Sequence, residues 1–205
     1  MKTILLTGFE PFGDSDVNPS IEACKKLDGK EYNGCKVVVR EVPLRYKEIR
    51  KCIESYIEET TPSAVMCTGL GGGPTINLER VAINLANARI AYNCGEKPVE
   101  ELIVKDGPTA YFTTLPLRKM LEAVEAAKVP VKISNSAGTF GCNQIFYDLR
   151  DYIETNNLDV IGGFIHVPPL PEQAMKRKSA SMSLEYIVRA LDAALQATSE
   201  ILGSS

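Results

Sequence analysis

Residues 2–20, KTILLTGFEPFGDSDVNPS, contain one complete change of secondary structure. Lys2 to Thr7 is a short apolar run with β-branched residues, and Gly8 ends it, so it reads as a buried strand feeding a Gly- and Pro-rich loop, GFEPFGDSDV. Asn18-Pro19 then opens a helix: Asn is a favoured N-cap and Pro fits the first helical position. Ile21, Cys24 and Leu27 follow at helical spacing. A strand, a loop and a helix in succession make one unit of an alternating α/β chain.

The same alternation continues downstream. Lys36 to Val42 is predicted as a strand stopped by Pro43. From Tyr46 to Glu59, Ile49, Cys52, Ile53, Tyr56 and Ile57 fall on one helical face. Ala64 to Thr68 is a third strand, followed by the loop GLGGGP (69–74). Val81, Ile83 and Leu85 alternate with period two, which predicts one strand across ERVAINL (79–85). Residues 93–109 read as an irregular excursion with a short hairpin strand at Leu102 to Val104. Helices are predicted near 116–127, from about Cys142 through Ile153, and over 183–201; strands at Val131 to Ser134 and Asp159 to Val167. Residues 202–205 read as a frayed tail. The predicted fold is a three-layer α/β/α sandwich with a largely parallel twisted sheet, formed by a single domain over residues 1–205. In such sheets, sites gather beyond the carboxyl ends of the strands.

Composition narrows the chemistry. The 205 residues carry 23 basic and 26 acidic side chains, a net charge of −3, with 44% hydrophobic and 24% charged residues. These values suit a globular chain with a real core and leave no basic footprint for nucleic acid or an anionic membrane. The apolar run before Gly8 is too short for a signal peptide, and no run suits a membrane span, so a cytoplasmic location is expected. Cys24, Cys35, Cys52, Cys67, Cys94 and Cys142 show no C-x-x-C pair and should be free thiols. The single histidine, His166, excludes metal sites built on two or more imidazoles.

Cys142 follows a predicted strand and the turn NSAGTFG (135–141) and begins a helix, where unpaired N–H groups and the helix dipole favour a thiolate. It is a candidate nucleophile, or a buried cysteine of a first helical turn. His166 ends a strand just before V-P-P, at the sheet edge where Cys142 is also expected. It is the only imidazole that can serve as base, or a hydrogen-bonded core histidine. Glu79 stands in the apolar stretch INLERVAINL (76–85), as an orienting carboxylate or as half of an ion pair with Arg80. GLGGGP lacks the ending of a phosphate loop and precedes a strand. Phe9 and Phe12, in a strand-end loop, line a pocket or simply pack.

Ordered blocks along the whole chain resemble the pyroglutamyl peptidase type I family, also called pyrrolidone carboxyl peptidases. They are TGFEPFG (7–13), VNPS (17–20), ERVAIN (79–84), ARI (88–90), PTAYFTTLP (108–116), SNSAGTFGCN (134–143), GFIHVP (163–168) and SMS (181–183). The resemblance implies a cytosolic, metal-free cysteine peptidase without cofactor. It implies hydrolysis of the amide after an N-terminal pyroglutamyl residue of peptides, through an acyl-enzyme. Cys142 is then nucleophile, His166 base and acid, and Glu79 the residue that orients the imidazole. Arg89 and the Cys142 N–H would serve the oxyanion, and Phe9, Phe12, Leu70, Ile90 and Phe140 the pyroglutamyl ring. A homo-oligomer, dimer or tetramer, is also implied.

The chain departs from the family pattern at three places. The loop at Gly73-Pro74 is one residue shorter, Ile90-Ala91-Tyr92-Asn93 replaces I-P-D-N, and Gly141 stands where a larger residue is common. Two other readings share this fold class: a protein that binds pyroglutamyl peptides with impaired catalysis, and a nucleoside phosphorylase-like transferase.

Overall fold

The computed structural model describes residues 1–13 and 15–203. Nine strands and six helices follow one another among them. They are β1 (Lys2–Phe9), α1 (Pro19–Lys25), β2 (Glu31–Tyr32), β3 (Cys35–Val42), α2 (Glu48–Thr60), β4 (Ala64–Leu70), β5 (Ile76–Glu79) and β6 (Val81–Ile83). Then come β7 (Ala110–Phe112), α3 (Leu117–Ala126), β8 (Val131–Ser134), α4 (Gly141–Thr155), β9 (Ile161–Val167), α5 (Pro171–Arg177) and α6 (Leu184–Gly203). Seven strands form one sheet in the order β2-β3-β1-β4-β9-β5-β8, and β6 and β7 pair separately. Helices α1, α3 and α6 cover one face through a core that includes Ile21, Met120 and Leu191. Helices α2 and α4 cover the other with Ile49, Ile53, Phe146 and Leu149, completing the sandwich. Asn18 caps α1 as predicted, its side chain accepting from Ser20 N at 3.1 Å.

β3, β1, β4 and β9 run parallel, but β5 lies antiparallel to β9, with β8 parallel to β5. The strand leading into α4 therefore runs against the one that ends in His166. Proximity of Cys142 and His166 does not come from a shared carboxyl edge; the loop after Ser134 has to carry the chain back.

Several local expectations change. The predicted strand over 79–85 is two strands in different sheets, because Arg80 changes partner: its N–H donates to Ser134 O (2.8 Å) and its carbonyl accepts from Thr113 N (2.9 Å). The alternation runs through this switch without marking it. Leu102 to Val104 is not a strand; the partner of β6 is β7. Asn84 takes a strand's place there, its side chain donating to Val104 O (2.7 Å) and accepting from Val104 N (2.9 Å). Phe9 is the last residue of β1 rather than part of the loop, and Asp14 of that loop lies outside the described residues. Helix α5 emerges from the proline cluster, with the Gln173 side chain accepting from Leu170 N at 3.0 Å. In the expected tail, Leu202 is buried in α6 and its carbonyl accepts from Lys2 Nζ, while Ser204 and Ser205 lie outside the described residues. All six cysteines are free. No helix of the described residues is long and apolar enough to cross a membrane.

The seam between α2 and α4 carries an unusual charge group. Arg50 bonds Glu54 and Asp151 at 2.8 Å each and approaches the buried Asp148 at 3.7 Å. Burial, opposed by Arg50, pushes the Asp148 carboxyl up to about 7, and its Oδ2 has no hydrogen-bond partner among the described residues. The folded chain therefore holds a proton that the unfolded chain has already released between about pH 4 and 7, so stability falls as pH rises through that window. Asp148→Asn, which stays neutral, should gain melting temperature over the parent as pH rises from 5 to 8. A gain of several degrees is expected, at about 2–4 °C per kcal/mol for a chain of this size. A difference that stays constant with pH would contradict the assignment.

Candidate active site

Cross-strand register and pleat bring the acidic and imidazole groups together. In the antiparallel pair of β5 and β9, Asn77 lies opposite His166 and Glu79 opposite Phe164. Opposed residues share a face, as do residues two apart along a strand. Asn77, Glu79, Phe164 and His166 therefore all project toward α4, and Glu79 is the diagonal neighbour of His166, within reach of a long side chain. Glu79 Oε1 meets His166 Nδ1 at 2.8 Å. The carboxylate thus pairs with the imidazole and not with Arg80. Glu79 is fully buried, and its Oε2 has no hydrogen-bond partner among the described residues.

Cys142 is the second residue of α4, whose N-cap, Phe140, offers no side-chain hydrogen bond to the first-turn amides. Its sulfur occupies the space over Gly69, where a Cβ would lie 2.8 Å from Sγ and 2.8 Å from the ring of Phe164. Because Gly69 is paired in register with His166, the sulfur is brought to the level of the imidazole. Nδ1 faces Glu79, which leaves Nε2 for the thiol. Burial pulls the imidazolium down most strongly, but the charge and hydrogen bonding of Cys142, together with Glu79, outweigh it and raise His166 to about 10. A buried cation of this kind persists only beside anionic partners. Elsewhere, burial pushes the Cys24 and Cys67 thiols up to about 12.

These groups open into a cavity of about 470 Å³. Its lining includes Phe9, Phe12, Leu44, Leu70, Phe140 and the turn 136–139, together with Asn77, Glu79, Asn87 and Arg89. Of the residues singled out in sequence, only Ile90 is absent from the lining; it is half-buried beside Arg89. The segment carrying Arg89 is tied to the turn before α4, because Asn87 N donates to Thr139 O (2.8 Å) and Thr139 Oγ1 donates to Asn87 O (2.9 Å). Asn143, next to the cysteine, fixes β6 by accepting from Ile83 N (2.9 Å) and donating to Ile83 O (2.8 Å).

Sequence reasoning did not identify Leu44, Asn77, Asn87 or Thr139 as cavity residues. Only the asparagine directly opposite His166 had a usable signal, its two-residue spacing from Glu79. Among the described residues, no group of three His, Cys, Asp or Glu is arranged to hold a metal ion.

The pair makes a chemical prediction. Glu79→Gln should slow iodoacetamide alkylation of Cys142 at pH 7 by roughly tenfold, because the imidazolium accompanying a thiolate loses a charged hydrogen bond. Peptide mapping would follow Cys142, with the exposed Cys94 as internal reference. Unchanged alkylation would show that the carboxylate does not support the charge pair.

The model of the pyroglutamyl peptidase family matches residues 2–201. A pyrrolidone-carboxylate peptidase of Bacillus cereus strain Q1 is 42% identical over 203 residues, covering 98% of this chain and 94% of that protein. The crystal structure of pyroglutamyl peptidase I from Bacillus amyloliquefaciens superposes with a TM-score of 0.94 at 41% identity, covering 97% of this chain and 95% of that one. A mutant pyrrolidone carboxyl peptidase from the hyperthermophile Pyrococcus furiosus does so with a TM-score of 0.94 at 36% identity, covering 98% and 99%. With nearly the whole chain matched in sequence and in fold, this protein belongs to the pyroglutamyl peptidase family of cysteine peptidases.

Proposed function

We propose that the protein hydrolyses the amide bond that follows an N-terminal pyroglutamyl residue of peptides. The observation that carries this reading is the convergence of Cys142, His166 and Glu79 at one cavity in a chain of this family. The Cys142 thiolate attacks the carbonyl carbon between the ring and the next residue, forming an S–C bond and a tetrahedral oxyanion. The Cys142 backbone N–H, free of a side-chain cap, and the guanidinium of Arg89 receive that charge. Collapse breaks the C–N bond, and the departing amine takes the proton from His166 Nε2. A water molecule then loses a proton to the neutral imidazole and opens the thioester, releasing pyroglutamate and returning the thiol. Glu79 keeps the proton on Nδ1 in the neutral ring and stabilises the imidazolium.

The ring pocket is proposed at the apolar end of the cavity. Phe9 and Phe12 present flat faces to a flat, uncharged ring; the backbone at Leu70 bonds the lactam; Phe140 stands at the rim, with Ile90 adjoining Arg89 outside the lining. Phe140 is backed by Tyr92, ring centroids 4.4 Å apart, so the family departure at Tyr92 rebuilds this wall with an aromatic. Gly141 is likewise accommodated: Leu44 Cδ1 occupies the space its Cβ would need. Neither departure opens a gap, and neither the binding-only nor the phosphorylase-like reading is favoured by the relatives found. The cytoplasmic location and a dimer or tetramer belong to the same proposal.

A pyroglutamyl arylamide should be hydrolysed, and prior alkylation of Cys142 should abolish that. Cys142→Ser and His166→Ala should each be folded and essentially inactive, while Arg89→Ala should lower kcat by roughly 10²–10³. A prolyl arylamide, which lacks the lactam carbonyl, should react at least ~10³ more slowly, because the pocket's polar groups would be left unpaired. Near-normal activity in the cysteine or histidine variant would overturn the reading.

A further inference from the structure

The order of strands also orders the cavity, and this extends the proposed peptidase reading, on which the following rests. Moving across the sheet, the lining passes from Phe9 on β1 to Leu70 on β4, His166 on β9, and Asn77 and Glu79 on β5. The sulfur lies over Gly69, between the aromatic end and the imidazole. If the acyl ring sits toward Phe9, the departing amine sits at His166, and the peptide beyond it runs onward over β5.

Asn77 is the side chain met there. It lies directly opposite His166 and lines the cavity. Thr75 Oγ1 donates to its Oδ1 at 2.9 Å, which orients the amide. Its Nδ2 finds no acceptor among the described residues, so two donors remain for a ligand. The adjoining loop leaves the way clear. Gly71, Gly72 and Gly73 carry no side chains, and a Cβ at Gly72 or Gly73 would meet nothing within 4 Å. We infer that Asn77 Nδ2 binds the backbone carbonyl of the substrate's second residue, giving the enzyme a main-chain subsite on the leaving side of the scissile bond.

A neutral donor reading a backbone carbonyl selects for a peptide over other amides without selecting the second side chain. The test compares pyroglutamyl-alanyl-alanine with a pyroglutamyl arylamide whose leaving amine carries no carbonyl. In Asn77→Ala the ratio of kcat/KM on the tripeptide to that on the arylamide should fall roughly fivefold, the usual effect of one neutral hydrogen bond. Asn77→Val, which suits a strand and lacks the donor, should show the same fall. The ratio does not depend on the fraction of protein that is active, so partial misfolding does not obscure it. An unchanged ratio in either variant overturns the subsite and leaves the peptidase reading intact. Failure of the unaltered protein to hydrolyse either substrate overturns the peptidase reading, and the subsite with it.

Discussion

A carboxylate sealed from water and bonded to one edge of the only imidazole is the contact around which this molecule is organised. Glu79 Oε1 and His166 Nδ1 are 2.8 Å apart, and no other described group bonds the second carboxylate oxygen. An acidic group so placed has little hydration to fall back on and gains most when its neighbour is a cation. The imidazolium is then favoured against its own burial, provided that Cys142 supplies further negative charge. The carboxylate and the imidazolium each offset the hydration the other has lost.

The unusual sheet follows from that requirement. Had β5 run parallel to β9, a crossover of a dozen or more residues would have been needed between β4 and the glutamate strand. Instead β4 ends at Leu70, five residues intervene, and β5 returns down the other side of β9. Reversal alone would only pair backbones; the spacing of two residues between Asn77 and Glu79 is what puts both side chains on the face of the imidazole. The same loop approaches His166 from above, where a Cβ on Gly71 would lie 3.1 Å from the histidine Cβ. The loop makes this turn because Gly71, without a side chain, can pass close to the imidazole.

Much of this was legible in the chain and some was not, for identifiable reasons. The N-cap at Asn18, the stripe on α2 and the helix opening beside Cys142 were readable because each is fixed by neighbours in sequence. Strand direction was not, since a buried strand looks alike in either orientation and the reversal of β5 and β8 depends on pairing far along the chain. The split at Arg80 was hidden because alternation of side chains survives a change of backbone partner. Leu102 to Val104 misled because a side chain, Asn84, took over hydrogen bonds that the pattern assigned to a strand. The catalytic candidates were recognisable from residue type and from resemblance, whereas Leu44, Asn87 and Thr139 reach the cavity only through the packing of separate loops.

Those loops explain how an apolar pocket can be held by polar groups. Glu10 lies between Phe9 and Phe12, and its Oε1 accepts from Leu44 N at 2.9 Å and from Asn93 Nδ2 at 2.7 Å. Asn93 Nδ2 also reaches Pro11 O at 3.1 Å, and Asn18 Nδ2 donates to Glu10 O at 3.0 Å. One carboxylate therefore ties the phenylalanine loop to the segment after β3 and to the segment carrying Tyr92, behind the surfaces that would meet a substrate. Apolar contacts alone are non-directional and would let these loops slide over one another. Hydrogen bonds fix their separation, which leaves the rings of Phe9 and Phe12 and the side chain of Leu44 to line the cavity. On the proposed reading of the cavity, directional bonds outside and non-directional contacts inside are what would let a ring be recognised by its flatness as well as by its polarity.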